Sequence, residues 1–164
     1  MRTFIVTFLL ISGLLKAQNN NLPPWQTIQT GIDNISFSLP SVPYVVDSVK
    51  YKFFNLGEDT STSFKVMILK DLPVANGPVY ETLIDAMNTK DSIQIIAADS
   101  ILYQGKICLD GEMEYPSPNG GRYKAYFRYV YYDDKLLNFL IAGPIGDAMA
   151  LLQKKNQFFS TVGL

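Results

Sequence analysis

The stretch from Arg122 to Gly143, RYKAYFRYVYYDDKLLNFLIAG, decides the fold. Two runs of aromatic, aliphatic and β-branched residues flank a single Asp133-Asp134 pair. Such residues fit a pleated sheet, and a pair of aspartates between them is turn chemistry. A two-residue turn at Asp133-Asp134 sets Tyr132 opposite Lys135 and Val130 opposite Leu137. Period 2 then places Tyr126, Arg128, Val130, Tyr132, Leu137, Phe139 and Ile141 on one face. Tyr123, Phe127, Tyr129, Tyr131, Leu136, Leu140 and Ala142 fall on the other. Both faces are too apolar for water, so both must be covered, and a sheet with a helix on each side meets that demand.

Upstream of this hairpin, Pro116 to Gly121 (Pro-Ser-Pro-Asn-Gly-Gly) is a loop that no helix crosses, and Ile101 to Tyr115 reads as a strand leading into it. Residues 91–99 show no decisive period. Before them, Asn76-Gly77-Pro78 is a helix start, with proline acceptable in the first turn. Val79, Tyr80, Leu83, Ile84 and Met87 follow at helical spacing, with Glu81, Asp85 and Asn88 opposite. This predicts an amphipathic helix of about three turns.

The segment before the helix predicts an antiparallel meander. Ile35 to Leu39 alternates and is stopped by Pro40 and Pro43. Tyr44 to Phe54 reads as one strand, with Val45, Val49, Tyr51 and Phe53 on one face and Ser48, Lys50 and Lys52 on the other. Asn55 to Asp59 turns the chain, and Ser61 to Leu69 returns with Phe64, Val66 and Ile68 aligned. Beyond the decisive hairpin, Gly143-Pro144 ends the strand. A closing helix from about Asp147 to Phe159 presents Ala148, Leu151, Leu152, Phe158 and Phe159 as a stripe. Strands, helix, strands, helix, joined by hairpins, is an α+β arrangement with a mostly antiparallel sheet.

The N-terminus reads as an export signal occupying residues 1–17. Arg2 supplies the positive charge, Phe4 to Leu15 is apolar except at Thr7, Ser12 and Gly13, and cleavage is placed after Ala17. An apolar run of about 12 residues is short of the ~20 needed to span a bilayer. No cysteine follows it, so no lipid tether or stable membrane anchor is expected. Residues 18–24 form a polar, proline-bearing lead-in, and residues 25–164 a single domain. The expected location is outside the cytoplasm, periplasmic or secreted.

Composition narrows the chemistry. The 164 residues hold no histidine and one cysteine, which removes Ser-His-Asp and Cys-His catalysis, histidine metal sites and any internal disulfide. Cys108, between Ile107 and Leu109, reads as a small buried hydrophobe. Net charge is −1. Without Arg2 and Lys16, twelve cations face fifteen carboxylates, a balance of −3. A mildly acidic chain with no basic stripe argues against nucleic acid or an anionic membrane as partner.

Trp25, the run Phe37-Ser38-Leu39-Pro40-Ser41-Val42-Pro43, the segment Ile107 to Glu114 with Arg122 to Tyr132, and the late strand ending at Gly143 before Phe158-Phe159-Ser160 resemble PsbP-like and Mog1-like domains. The resemblance covers residues 25–164. It implies an α/β/α sandwich with an antiparallel sheet, and it implies binding or accessory roles rather than catalysis.

Two sets of residues draw attention as sites. Asp110, Glu112 and Glu114 alternate, so they stand in a row on one strand face, about 6.5–7 Å apart. Such a row can bind Ca²⁺, act as an acid/base pair, or pair with Arg122, Lys124 or Arg128 on the next strand. The tyrosines of Arg122 to Tyr132 with Arg128 form an aromatic-cationic strand suited to binding. Isolated glycines at 105, 120 and 121 form no phosphate loop. The expectation is an exported, non-enzymatic binding or accessory domain of the cell envelope, without catalytic residues, metal or cofactor, whose partner is a protein or small molecule. Its alternative is a carrier of a small apolar or amphipathic ligand, held between sheet and helix beside Tyr126, Arg128, Tyr132 and Phe139.

Overall fold

The computed structural model describes residues 24–58, 62–72, 79–90, 92–117 and 120–164. The leader, the helix-start triplet Asn76 to Pro78 and the tip of the proline loop lie outside them. Among the described residues, nine strands and two helices follow one another as β1 (Gln26–Gln29), β2 (Ser36–Leu39), β3 (Tyr44–Asp47), β4 (Tyr51–Glu58), β5 (Thr62–Leu69), α1 (Val79–Asn88), β6 (Gln94–Tyr103), β7 (Lys106–Pro116), β8 (Arg122–Tyr132), β9 (Lys135–Pro144) and α2 (Ala148–Ser160). A single 3₁₀ turn, Ile145–Asp147, leads into α2.

Seven strands form one antiparallel sheet in the order β3-β4-β5-β9-β8-β7-β6. It consists of two meanders, β3 to β5 and β6 to β9. Their seam is the β5–β9 ladder, where Ser63 faces Ala142 and Leu69 faces Leu136. α1 carries the chain from the end of the first meander to the far edge of the second. β1 and β2 form a separate hairpin. It is tied to the C-terminus by reciprocal backbone bonds between Ser36 and Gly163, 3.0 and 2.8 Å.

The decisive hairpin forms in the register read from sequence, with Tyr132 opposite Lys135 and Val130 opposite Leu137. Asp133 takes φ +54° at its turn. Three expectations are corrected. Asn55 to Asp59 is not a turn throughout, because Asn55 to Glu58 continue β4 in ladder with Lys65 to Thr62. Tyr44 to Phe54 is not one strand, because Ser48 closes a turn. Its N–H donates to the Tyr51 carbonyl at 2.8 Å, and its hydroxyl accepts from the Tyr51 N–H at 3.1 Å. The break inverts the face: Phe54 and Leu56 are buried, whereas Val49 is 85% exposed at the hairpin tip. Likewise Ile101 to Tyr115 folds back at Gln104-Gly105, both with positive φ (49° and 75°), giving β6 and β7. The indecisive residues 94–99 belong to β6.

Alternate residues of the sheet supply two apolar clusters. The larger gathers Phe37, Phe54, Phe64, Phe139 and Phe158 with Leu151 and Phe159 of α2. Their rings meet edge to face, Phe37–Phe54 at 5.2 Å and Phe64–Phe158 at 5.4 Å between centroids, the arrangement the ring quadrupole favours. The second gathers Leu109, Met113, Ala125, Phe127 and Ala142, with Tyr80, Ile84 and Met87 of α1 packed against it. Tyr80 anchors α1 just beyond the last β7–β8 rung, Cys108–Val130. Its hydroxyl donates to the Ile107 carbonyl at 2.6 Å and accepts from the Tyr131 N–H at 3.0 Å.

Gly111 is required by this second cluster. It lies opposite Phe127, and a β-carbon there would stand 2.1 Å from Phe127 Cζ. Gly111→Ala is therefore expected to destabilise the fold by about 1–3 kcal/mol in denaturant unfolding, as overpacking of a full core does. In a Phe127→Ala background the same change should cost close to nothing, because the ring it strikes is gone.

Candidate functional site

Each carboxylate of the β7 row meets a cation of β8, the first directly across the ladder and the other two diagonally. Asp110 and Arg128 are directly opposite. They join in a bidentate pair, Nε to Oδ1 at 2.7 Å and Nη2 to Oδ2 at 2.8 Å. Glu112 takes Lys124 at 2.7 Å, and Glu114 takes Arg122 at 3.1 Å. Cross-strand pairing thus describes the row. Each carboxylate is engaged by a cation, and Asp110 and Glu112 also border an open cleft beside Tyr126.

Arg128 is 6% exposed. Its guanidinium lies between two rings, 4.3 Å from the Tyr103 centroid and 4.8 Å from that of Phe159. Nη1 donates to the Phe159 carbonyl at 3.3 Å. Burial disfavours its charge, but the Asp110 carboxylate outweighs burial and holds the guanidinium above its ordinary value. This is an internal clamp joining β7, β8 and the end of α2. Tyr103 completes the attachment, its hydroxyl donating to the Val162 carbonyl at 2.7 Å.

The four residues expected beside a ligand do not come together on one surface. Phe139 is fully buried, with Phe37 and Phe158 against its ring, and it belongs to the core. Arg128 is committed to Asp110. Tyr132 is half-buried beneath Lys106, whose Nζ is 4.8 Å from the ring centroid. Of the four, Tyr126 alone borders the cleft, which is 280 Å³ in volume and lined also by Asp99, Ile101, Asp110, Glu112, Leu152 and Lys155. Burial pushes the Tyr126 phenol up from its ordinary value. Cys108 is buried, and burial raises its thiol likewise.

Two features escaped the sequence reading. On the α1 side lies a larger groove, 450 Å³, lined by Ile93, Met113, Tyr115, Pro116 and Leu140, with Lys65, Lys90 and Ser92. Its parts come from β5, β7, β9 and the segment after α1, so no local spacing joins them. At the β3 edge of the sheet, Val42, Tyr44, Val45, Val49 and Tyr51 are all exposed, Tyr44 by 70%. The signal for that patch was present as a run of large apolar residues, but it was absorbed into a strand expected to be half-buried. Among the described residues, no helix is long and apolar enough to cross a membrane.

No family model matches this sequence, and no curated protein matches it either. Solved structures do. Cyanobacterial PsbP (CyanoP) from Synechocystis sp. PCC 6803 is similar with a TM-score of 0.63 and 14% identity, over 85% of this chain and 92% of that one. LpqN, involved in cell envelope biogenesis of Mycobacterium tuberculosis, is similar with a TM-score of 0.53 and 11% identity, over 86% of each chain. PA94 of Pseudomonas aeruginosa, a protein of unknown function, gives 0.51 and 11%, over 81% of this chain and 92% of that one. At such identities the likeness is one of architecture, and the chain has a PsbP-like fold.

Proposed function

We propose that this chain is an exported, non-enzymatic domain that binds a macromolecule of the cell envelope or serves as an accessory to one. The observation that carries the reading is the exposed apolar cluster at the β3 edge, with Val49 at its tip. Large apolar side chains exposed along one sheet edge of a small acidic domain are candidate contacts for a partner. The pairing of Asp110, Glu112 and Glu114 with cations supports a non-catalytic role. The packing of α1 on the Phe127 cluster and of α2 on the Phe37 cluster supports an α/β/α sandwich with a helix on each side. The role printed for LpqN supports placing it at the envelope. A photoreactive residue at position 49 should yield a crosslinked adduct in intact cells, and one at the exposed Gln157 of α2 should not. Equal labelling at both sites, or at neither, overturns the reading, and so does recovery of the chain in the cytoplasmic fraction.

A second reading is a carrier of a small amphipathic ligand. The 450 Å³ groove beside α1 favours it, since small-molecule sites commonly span about 300–1,000 Å³. The site then lies on the opposite face of the sheet from Tyr126 and Arg128.

A further inference from the structure

The groove beside α1 combines hydrocarbon walls with positive charge that nothing described nearby neutralises. Ile93, Met113, Tyr115, Pro116 and Leu140 form its apolar lining. Burial holds the Tyr115 phenol above its ordinary value, so that wall is neutral. Lys65 enters from β5, directly opposite Leu140 in the ladder, and Lys90 enters just past the end of α1. The described lining includes no carboxylate.

Six cations elsewhere are neutralised where they stand. Lys52, Lys70, Lys124 and Lys135 each stand against a carboxylate, at 2.8, 2.9, 2.7 and 2.5 Å, and Arg122 and Arg128 do the same at 3.1 and 2.7 Å. Lys65 and Lys90 have no such partner among the described residues. In a chain of net charge −1, two unneutralised ammonium groups beside one apolar lining focus positive potential there. A neutral apolar ligand would leave both lysines unused. A cationic amphiphile would meet repulsion. A two-tailed lipid needs more room than a groove in the lower half of the usual ~300–1,000 Å³ range offers.

We propose that the groove takes a single-tailed anionic amphiphile, with its head on Lys65 and Lys90 and its tail along Met113 and Leu140. This rests on the carrier reading and deepens it. A carboxylate or a phosphate monoester supplies the same head chemistry.

The test is calorimetric titration of the purified protein with decanoate, decyl phosphate and decyltrimethylammonium. The expected result is saturable 1:1 binding of the two anions, at least about tenfold tighter than the cation, in line with two partly exposed charge pairs. The tighter of the two anions identifies the head. Lys65→Glu/Lys90→Glu, changed at two exposed positions, should abolish the preference for anions while leaving the melting temperature unchanged. Amide shifts on decanoate binding should centre on Met113 and Leu140 and spare the cleft at Tyr126. Equal affinity for anion and cation overturns the proposed head group and leaves the carrier reading standing. Failure of all three decyl compounds to bind overturns both.

Discussion

Asp110→Ala should lower unfolding stability by about 3–5 kcal/mol, the cost of removing one partner from a buried ion pair. Arg128 would keep its charge, because a guanidinium does not give up its proton in a protein. At 6% exposure it is largely shielded from water in the native fold. The rings of Tyr103 and Phe159 hold it in place, so it would remain as an uncompensated cation between them. The neighbouring diagonal pair, Glu112 with Lys124, serves as an internal control. Glu112 and Lys124 are more exposed than Asp110 and Arg128, with side chains at 24% and 18%, and a pair of that kind contributes at most about 1 kcal/mol. Glu112→Ala should therefore have a small effect where Asp110→Ala has a large one, in the same row of the same strand. Replacing both partners, Asp110→Ala with Arg128→Leu, should recover much of the loss. Equal losses from Asp110→Ala and Glu112→Ala in denaturant unfolding would refute the account of Arg128 as a buried clamp.

Phe158→Ala should cost a similar amount, about 3–5 kcal/mol, through lost burial and the cavity left behind. The ring is fully buried. It meets Phe37, Phe64 and Phe139 edge to face, at 6.3, 5.4 and 6.2 Å between centroids. Those partners come from β2, β5 and β9, so one side chain binds α2 to the small hairpin and to the seam of the large sheet. The loss should be uneven. β1–β2 depends on α2 and the tail behind it, including the bond from the Ser38 N–H to the Thr161 hydroxyl at 2.9 Å. Amide hydrogen exchange in Phe158→Ala should therefore accelerate first in β2 and at residues 158–163, with β7 and β8 protected longest. Uniform acceleration across the sheet would show that the ring does not link these parts.

The sequence made the second meander legible where alternation and turn chemistry agreed. Arg122 to Gly143 is rich in strand-forming residues on both sides of one aspartate pair that stands where the chain must reverse, so the turn fixed register and facing together. The helical spacing of Tyr80, Ile84 and Met87 placed α1 for the same reason. Alternation misled where a turn sat inside it. Ser48 closes its turn through a hydroxyl that a period-2 reading treats as one more polar position. Gln104-Gly105 reverses the chain without the Asn-Gly or Asp-Gly signature of such turns. For the candidate sites, the pairing of Asp110, Glu112 and Glu114 was readable as one of three alternatives, because the cations on the next strand were visible. The grouping of Tyr126, Arg128, Tyr132 and Phe139 captured a common face but not its burial. The groove was not readable at all, because Lys65 and Lys90 meet only through long-range packing.

The seam between the two meanders also governs the order in which the chain acquires its structure. Each meander is built from neighbouring hairpins and closes only short loops. The β5–β9 ladder joins Ser63 to Ala142 and Leu69 to Leu136, so it must wait until nearly the whole chain is present. Long-range closures of this kind slow folding. During synthesis the first meander emerges with Phe64, Val66 and Ile68 finished as a strand but open along the side that β9 will later occupy. For that interval β5 is an unprotected sheet edge with its apolar face uncovered, and it is there, rather than at either edge of the finished sheet, that a folding catalyst or holdase would find this protein most vulnerable to aggregation.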